Sequence, residues 1–213
     1  DKHVTGVQTC ALPISVTFTN KAANEMKERL SELLRRPIGR MWVGTFHSLA
    51  HRLLRTHPVE ANLSPTFQIL DAQDQFRIVK RLMKENGVDE TKFPIKKVQW
   101  FINQQKDEGI FPHQIDAGHN YFVKQSAKIF DLYEKHCQAN DIVDFAGLLV
   151  KSYELLKNNQ SLLDHYQKRF HHILIDEFQD TNRIQYQWIK LLHTQQNHIF
   201  CVGDDDQSIS GWR

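Results

Sequence analysis

The sequence predicts an α/β fold in which a parallel sheet is interrupted by an all-α helical block. Two short β-branched segments near the N-terminus are each followed by an amphipathic helix, and the same pattern returns near the C-terminus. Between these parts lies a long stretch that carries only helix signals. Strands that alternate with helices imply a parallel sheet, in which ligands bind beyond the carboxyl ends of the strands.

The two N-terminal units are SVTFTNKAANEMKERLSELLRR and MWVGTFHSLAHRLLR. The first predicts a strand over residues 16–19 and a helix with Asn20 as its N-cap. The second predicts a strand through Trp42 and Val43, with a helix that starts near Phe46. The apolar residues of the first helix fall on one face: Ala22, Met26, Leu30, Leu33 and Leu34.

The central block, from about residue 71 to residue 169, reads as one helix after another. Capping residues, prolines and glycines set the limits of its helices. We expect four helices, bounded by Asp71 and Gly87, by Pro94 and Gly109, and by residues 120–139 and 144–157. Scattered lysines on helices usually form a solvated face, and we expect this of the following set: Lys84, Lys96, Lys97 and Lys106.

The stretch HHILIDEFQDTN places two carboxylates, Asp176 and Glu177, directly after an apolar strand over 172–176. An Asp at such a strand end suits a Mg²⁺ ion that keeps room for water and substrate phosphates. The neighbouring Glu can orient or deprotonate an attacking water. The alternative is that both carboxylates only stabilise the start of the next helix, at about 182–193, whose positive end favours them.

Three further strand ends carry polar residues. VGDDDQSI repeats the acidic pattern at Asp204, and Gln207 follows with an amide that can both donate and accept. An Asp-rich turn bonded to its own backbone is the simpler explanation. Thr19 and Thr45 lie at the other two ends, where hydroxyl groups can bind backbone phosphates beside aromatic rings.

Composition excludes several classes of protein. Lys and Arg total 27 against 25 for Asp and Glu, so the net charge of +2 gives no global signature of a nucleic-acid-binding protein. Three cysteines far apart in sequence, Cys10, Cys137 and Cys201, fit a reducing compartment better than a disulfide framework. No apolar run has the length of a membrane span. We therefore expect a cytoplasmic protein.

Four segments, VTFTNKAANEMKERL, VGTFHSLAHRLLR, ILIDEFQDTN and VGDDDQSISGWR, occur in the order and spacing of a helicase family. Over about residues 16–213 the chain resembles the UvrD/Rep/PcrA family of superfamily 1 helicases. Segments of the helical block, such as DIVDFAGLL, are similar to that family too. The resemblance implies a RecA-like ATPase domain, here incomplete, over 16–48 and 170–213, with a helical subdomain over 49–169.

The resemblance also implies an activity. Members of the family use ATP and Mg²⁺ to move 3′ to 5′ on single-stranded DNA and at junctions of single and double strands, in company with DNA-repair proteins. By the family pattern, Asp176 would bind Mg²⁺, Glu177 would activate the hydrolytic water and Gln207 would sense the γ-phosphate. The DNA contacts would be Phe18, Thr45, His47 and Trp212.

The chain departs from the family pattern in three places. No phosphate loop of the form G-x-x-x-x-G-K-[ST] is present, so we expect the isolated chain not to hydrolyse ATP. Residues 1–15 match no family element, and we expect them to be a non-native leader. Ser210 stands where the family has Tyr, which removes one stacking surface.

Three rival hypotheses remain at this point. The chain could be a module that binds single-stranded DNA without turnover. A metal nuclease could use Asp176, Glu177 and the acidic cluster 204–206, although few further carboxylates or basic residues accompany them. His47 and His51 have the spacing of two zinc ligands on a helix, but Ser48 occupies the position where a zinc protease needs Glu.

Overall fold

The computed structural model describes residues 12–17, 19–35 and 41–201. Within these residues the predicted strands and helices follow one another in the predicted order, together with two short strands and a helix, Gln160–Arg169, that the sequence analysis did not predict. The strands are β1 (Leu12–Thr17), β2 (Trp42–Thr45), β3 (Gln68–Leu70), β4 (Ile142–Asp144), β5 (Phe170–Ile175) and β6 (His198–Cys201). The helices are α1 (Asn20–Leu34), α2 (Phe46–Thr56), α3 (Ala72–Glu85), α4 (Ile95–Asp107), α5 (Tyr121–Ala139), α6 (Phe145–Asn158), α7 (Gln160–Arg169) and α8 (Arg183–Leu192).

Four strands form a parallel sheet in the order β2-β1-β5-β6, which confirms the predicted fold class. Val16 on β1 pairs with Gly44 on one side and with Ile175 on the other. Because neighbouring strands run in the same direction, their carboxyl ends meet at one edge. Thr17, Thr45 and Asp176 lie together at this edge.

Strand β1 is buried on both faces, which suits its short β-branched run. Ile14 and Val16 are fully buried, and so is Thr17. The strand starts at Leu12, within the range 1–15 that we expected to be a leader. Residues 1–11 lie outside the described residues.

A first hydrophobic core packs the sheet against α2, α6, α7 and α8. Trp188 of α8 is fully buried and meets the ring of Phe46 edge-on, with centroids 6.1 Å apart. Trp42 of β2 packs in the same way on Tyr166 and Phe170, at 5.6 and 5.5 Å. Edge-to-face pairs of this kind add about 0.5–1.5 kcal/mol each beyond the buried area.

The apolar face of α1 is exposed in its C-terminal half. Leu33 is 79% exposed and Leu34 is 40% exposed, while Ala23, outside that face, is the buried residue. The helix begins one residue earlier than predicted, since the side chain of Thr19, not that of Asn20, caps it by accepting the Ala22 amide at 3.1 Å. The hydroxyl of Ser15 donates to the sulfur of Met26, which connects the N-terminal half of α1 to β1.

A second hydrophobic core lies among α3, α4 and α5, as expected for the helical block. Asp71 caps α3 by accepting the Asp74 amide at 2.7 Å, as predicted, and Asn120 caps α5. Beside these helices lies a short parallel pair of strands, β3 and β4, which the sequence analysis did not predict. The domain bounds given above stay predictions. Within the described residues no helix has the length and apolarity needed to cross a membrane.

The two cores meet at a buried ion pair, and the expectation that Lys106 is solvated is wrong. Its ammonium lies 2.9 and 3.0 Å from the two carboxylate oxygens of Asp144 and 2.6 Å from Glu134. Tyr133 donates to Asp144 at 2.5 Å, and the amide of Gly147 donates to it at 2.6 Å. The Asp144 carboxylate is therefore fully hydrogen-bonded, which a buried charge requires.

The charges of this pair hold each other in place. Burial alone would raise the pKa of Asp144, but Lys106 and the hydrogen bonds hold it below its usual range. Burial likewise opposes the charge on Lys106, yet the carboxylates of Asp144 and Glu134 raise its pKa. Both groups are therefore ionised at neutral pH.

We expect Lys106→Met to destabilise the chain by about 3–5 kcal/mol, because it leaves the Asp144 carboxylate buried without its counter-ion. Urea titration of the free energy of unfolding measures this loss. The matched control is Lys135→Met, which breaks an exposed pair with Asp131 at 2.8 Å and should cost less than about 1 kcal/mol. Equal losses of unfolding free energy in the two variants would contradict the expectation that breaking the buried pair costs more.

Candidate functional site

Hydroxyl groups line the carboxyl edge of the sheet. Thr17 and Thr45 are neighbours in register at the ends of β1 and β2. Thr45 also caps α2, since its side chain accepts the Ser48 amide at 3.1 Å. Both threonines line a groove of about 400 Å³ that continues past Asn20 and His47. The groove thus lies where ligands bind in open parallel sheets.

The predicted acidic pair lies at the next strand end of the same edge. The amide of Asp176 donates to the Val16 carbonyl at 3.0 Å, which fixes Asp176 beside β1. Glu177 is exposed and adopts the left-handed conformation, with φ of 52° and ψ of 46°. This conformation costs a non-glycine residue about 1–2 kcal/mol. Such strain is concentrated at functional sites, which favours a role for the turn beyond simple capping.

Buried oxygen atoms near this edge lack partners. Among the described residues, the hydroxyls of Thr17 and Thr181 and the amide oxygen of Gln179 have no hydrogen-bond partner. Buried polar groups are nearly always hydrogen-bonded in folded proteins. Ser126 and the indole nitrogens of Trp42 and Trp188 also lack a partner among the described residues, so this property does not single out the acidic turn.

The residues at the acidic turn fit a Mg²⁺ ion bound through one carboxylate. One Asp176 oxygen accepts the Glu177 amide at 3.0 Å, and no hydrogen bond from a described residue occupies the other. Mg²⁺ in nucleotide sites typically takes one or two carboxylates and completes its shell with water and phosphate. No group of three or more His, Cys, Asp or Glu side chains suited to a metal occurs in the described part of the chain. The acidic cluster 204–206 of the nuclease hypothesis lies outside the described residues, so that hypothesis stays untested.

His47 lies in the first turn of α2 and stacks on an exposed aromatic residue. Its ring is 3.9 Å from that of Phe145, with an interplanar angle of 12°. Burial lowers the pKa of His47 to about 4, so the imidazole is neutral at pH 7. His51 accepts a hydrogen bond from Arg55 at 2.9 Å, which places a cation where a zinc pair would need the metal. The stacked rings provide an apolar surface beside the hydroxyl groups.

The structure brings together four of the predicted site residues: Thr45, His47, Asp176 and Glu177. Phe18, Gln207 and Trp212 lie outside the described residues, and so do the aspartates at 204–206. The sequence analysis missed Phe145, which is 60% exposed. No local signal distinguishes it from Phe46, which holds the same position in α2 and is buried.

Comparison with known families decides among the remaining hypotheses. The family profile described as the UvrD/REP helicase N-terminal domain matches residues 12–213. The chain belongs to this family. The match begins at the first residue of β1, within the range that we expected to be a leader.

The chain is also similar to individual members of the UvrD/REP family. The chain is 51% identical to DNA helicase II of Escherichia coli over 200 residues and 48% identical to DNA helicase II of Haemophilus influenzae over 204 residues. It is 36% identical to the ATP-dependent DNA helicase PcrA of Bacillus subtilis over 202 residues. Each alignment covers 94% of this chain but only 27–28% of the relative. The chain thus spans a little over a quarter of the length of these helicases.

We expect the low pKa of His47 to make stability fall as the pH falls. Between the ordinary pKa of 6.5 and about 4, the unfolded chain binds a proton that the folded chain excludes. His47→Gln removes this effect, so the loss of unfolding free energy from pH 7 to pH 5 should shrink by about 1–2 kcal/mol.

The control for this measurement is His119→Gln, which changes an exposed histidine. It should leave the pH dependence of the unfolding free energy as it is in the parent chain. If His47→Gln also leaves it unchanged, the neutral, buried state of His47 is contradicted.

Proposed function

We propose that the chain is the N-terminal, ATPase-domain portion of a DNA helicase that moves 3′ to 5′ on single-stranded DNA in DNA repair. The observation that carries this proposal is the single edge at which the hydroxyl groups, the stacked rings and the acidic turn meet. The direction of movement and the repair role rest on the family resemblance. Single-stranded DNA, junctions of single and double strands, and DNA-repair proteins are the proposed partners.

The groove has the chemistry that a single strand needs. Thr45 offers a hydroxyl group for a phosphate oxygen, and α2 points its N-terminus at the same place. The backbone amides and the dipole of a helix N-terminus favour anions. Phe145 then offers an exposed face on which a base can stack. Phosphate contacts combined with stacking give binding that tolerates any sequence.

The acidic turn supplies the other half of the proposed activity. Asp176 would hold Mg²⁺ by its free carboxylate oxygen, and Glu177, exposed beside it, would position the attacking water. When bound, ATP with its metal ion would supply the phosphoryl-transfer chemistry. The turn and the groove are neighbours on this edge, because β1 is hydrogen-bonded to both β2 and β5. Strain or movement in one strand end can therefore reach the other.

The remaining residues of the proposed site lie outside the described residues. We propose Gln207 as the group that senses the γ-phosphate, with Phe18 and Trp212 as further DNA contacts. We also propose a cytoplasmic location. The unpaired thiols of Cys137 and Cys201 support a reducing compartment.

We expect Phe145→Ala to weaken the binding of a labelled oligothymidine to the full chain about tenfold, because one stacked base contributes about 1–3 kcal/mol. Fluorescence anisotropy measures the dissociation constant. Phe145→Trp keeps a stacking surface and should bind like the parent. Tyr121→Ala is the control, since Tyr121 is 62% exposed but lines neither this groove nor a neighbouring cavity.

An unchanged affinity in Phe145→Ala would show that the stacked rings of His47 and Phe145 do not contact the DNA. Circular dichroism of each variant checks that the fold is intact, so that a weaker affinity reports on the surface alone.

We expect no ATP hydrolysis by the 213-residue chain, with or without single-stranded DNA, because none of its segments has the phosphate-loop pattern. A steady-state assay of phosphate release in the presence of Mg²⁺ tests this. A rate that rises with single-stranded DNA and disappears in Asp176→Asn would contradict the expectation. It would also show that the acidic turn acts without that loop.

A further inference from the structure

A cavity separate from the groove lies against another face of α6. It has a volume of about 340 Å³ and lies between the loop that follows α4, the C-terminal half of α6 and the start of α8. No described residue lines both this cavity and the groove. Four of the α6 residues that line the cavity recur at intervals of three and four and so share one face of the helix: Val150, Tyr153, Glu154 and Lys157.

The walls of this cavity are largely apolar and aromatic. Ile184 belongs to the first hydrophobic core, and Phe111 and Tyr153 pack against that core. The ring of Phe111 also lies parallel to that of His113, with centroids 5.9 Å apart and an interplanar angle of 11°. The aromatic walls are therefore held in place by the rest of the fold. Aromatic faces attract cations, and most strongly where water is excluded.

Glu154 is the charged group of the cavity that lacks a partner. Its side chain is half-buried and has no hydrogen bond or ion pair with a described residue. Burial raises the pKa of its carboxyl group, although the charge of Lys151 opposes this rise. A carboxylate that is withdrawn from water needs a cation or hydrogen-bond donors. The cavity leaves space for a ligand that supplies them.

The contact between Lys157 and Tyr153 shows that this wall attracts a cation. The ammonium nitrogen of Lys157 lies 5.6 Å from the centroid of the Tyr153 ring. Lys157 is exposed and forms no ion pair with Glu154. An exposed lysine contact of this kind is weak, so an incoming cation can displace it.

We propose that this cavity receives an arginine side chain of a partner protein, whose guanidinium group stacks on Tyr153 and pairs with Glu154. The charge of Glu154 selects a cation. A guanidinium group fits better than an ammonium group, because it is planar, stacks on aromatic rings and donates two parallel hydrogen bonds to one carboxylate. Arginine is also enriched among the residues that anchor protein interfaces. The proposal goes beyond the DNA helicase function and does not depend on it.

The test measures the binding of a capped peptide, acetyl-Gly-Arg-Gly-amide, to the full chain at pH 7.5. Shifts of the backbone amide NMR signals give the dissociation constant and locate the site. The matched probe replaces arginine by citrulline, which has nearly the same shape but a neutral urea group. We expect the arginine peptide to bind about tenfold more tightly, because hydrogen bonds between two charged groups are about twice as strong as neutral ones. The shifts should lie in residues 109–113 and 150–158, which border the cavity.

Two variants and one control make the comparison specific. Glu154→Gln keeps the size of the side chain but removes its charge, so the two peptides should bind within about twofold of each other. Lys157→Met removes the competing ammonium group and should tighten the binding of the arginine peptide about twofold. Glu108→Gln changes an exposed carboxylate that does not line the cavity, and it should bind both peptides like the parent chain.

Three results would overturn the proposal. The first is equal binding of the arginine and citrulline peptides by the parent chain, or no binding of either. The second is an unchanged preference for arginine in Glu154→Gln, whose amide spectrum without peptide shows whether it is folded. If that variant does not fold, Tyr153→Leu replaces it and must weaken the binding of the arginine peptide. The third is tighter binding of free arginine than of the capped peptide, which would assign the cavity to an amino acid.

Discussion

The buried pair of Lys106 and Asp144 is the interaction on which the arrangement of the molecule depends. It connects α4 to the end of β4, and through Tyr133 and Glu134 it also holds α5. Asp144 caps α6, so the pair fixes the start of the helix that presents Phe145 to His47. A buried ion pair adds little net stability over an apolar replacement, but breaking it is costly. The pair therefore acts mainly by fixing the positions of these elements, because it aligns the second core with the groove.

The close packing around this pair leaves no room for adjustment. A Cβ atom at Gly147 would lie 2.5 Å from an Asp144 oxygen and 3.2 Å from the Lys106 nitrogen, so a larger residue would displace the cap. On the opposite side of the groove, the pairing of the strands also fixes the positions of the residues. Hydrogen bonds between parallel strands set Thr17, Thr45 and Asp176 side by side. The proposed site is thus formed by backbone register on one side and by one buried charge on the other.

Much of this architecture could be predicted from the sequence. Local signals located Asp71 as a helix cap, and the apolar run before Asp176 located a strand end. What failed depended on contacts distant in sequence. Lys106 looks like any surface lysine until Asp144, on another element, is placed beside it. β3 and β4 have three residues each, which is too short for a periodic pattern. The Phe145 stack and the α1 face likewise depend on which surfaces meet.

Hydrogen–deuterium exchange of the full chain, with and without a single-stranded oligonucleotide, tests the central claim most directly. The claim is that single-stranded DNA lies along the carboxyl edge of the sheet, against the starts of α2 and α6. The account predicts slower exchange in residues 45–51 and 144–149 on DNA binding, with the exposed C-terminal half of α1 unchanged. Protection confined to α1 or to the outer face of α5, with no change in those two segments, would contradict it.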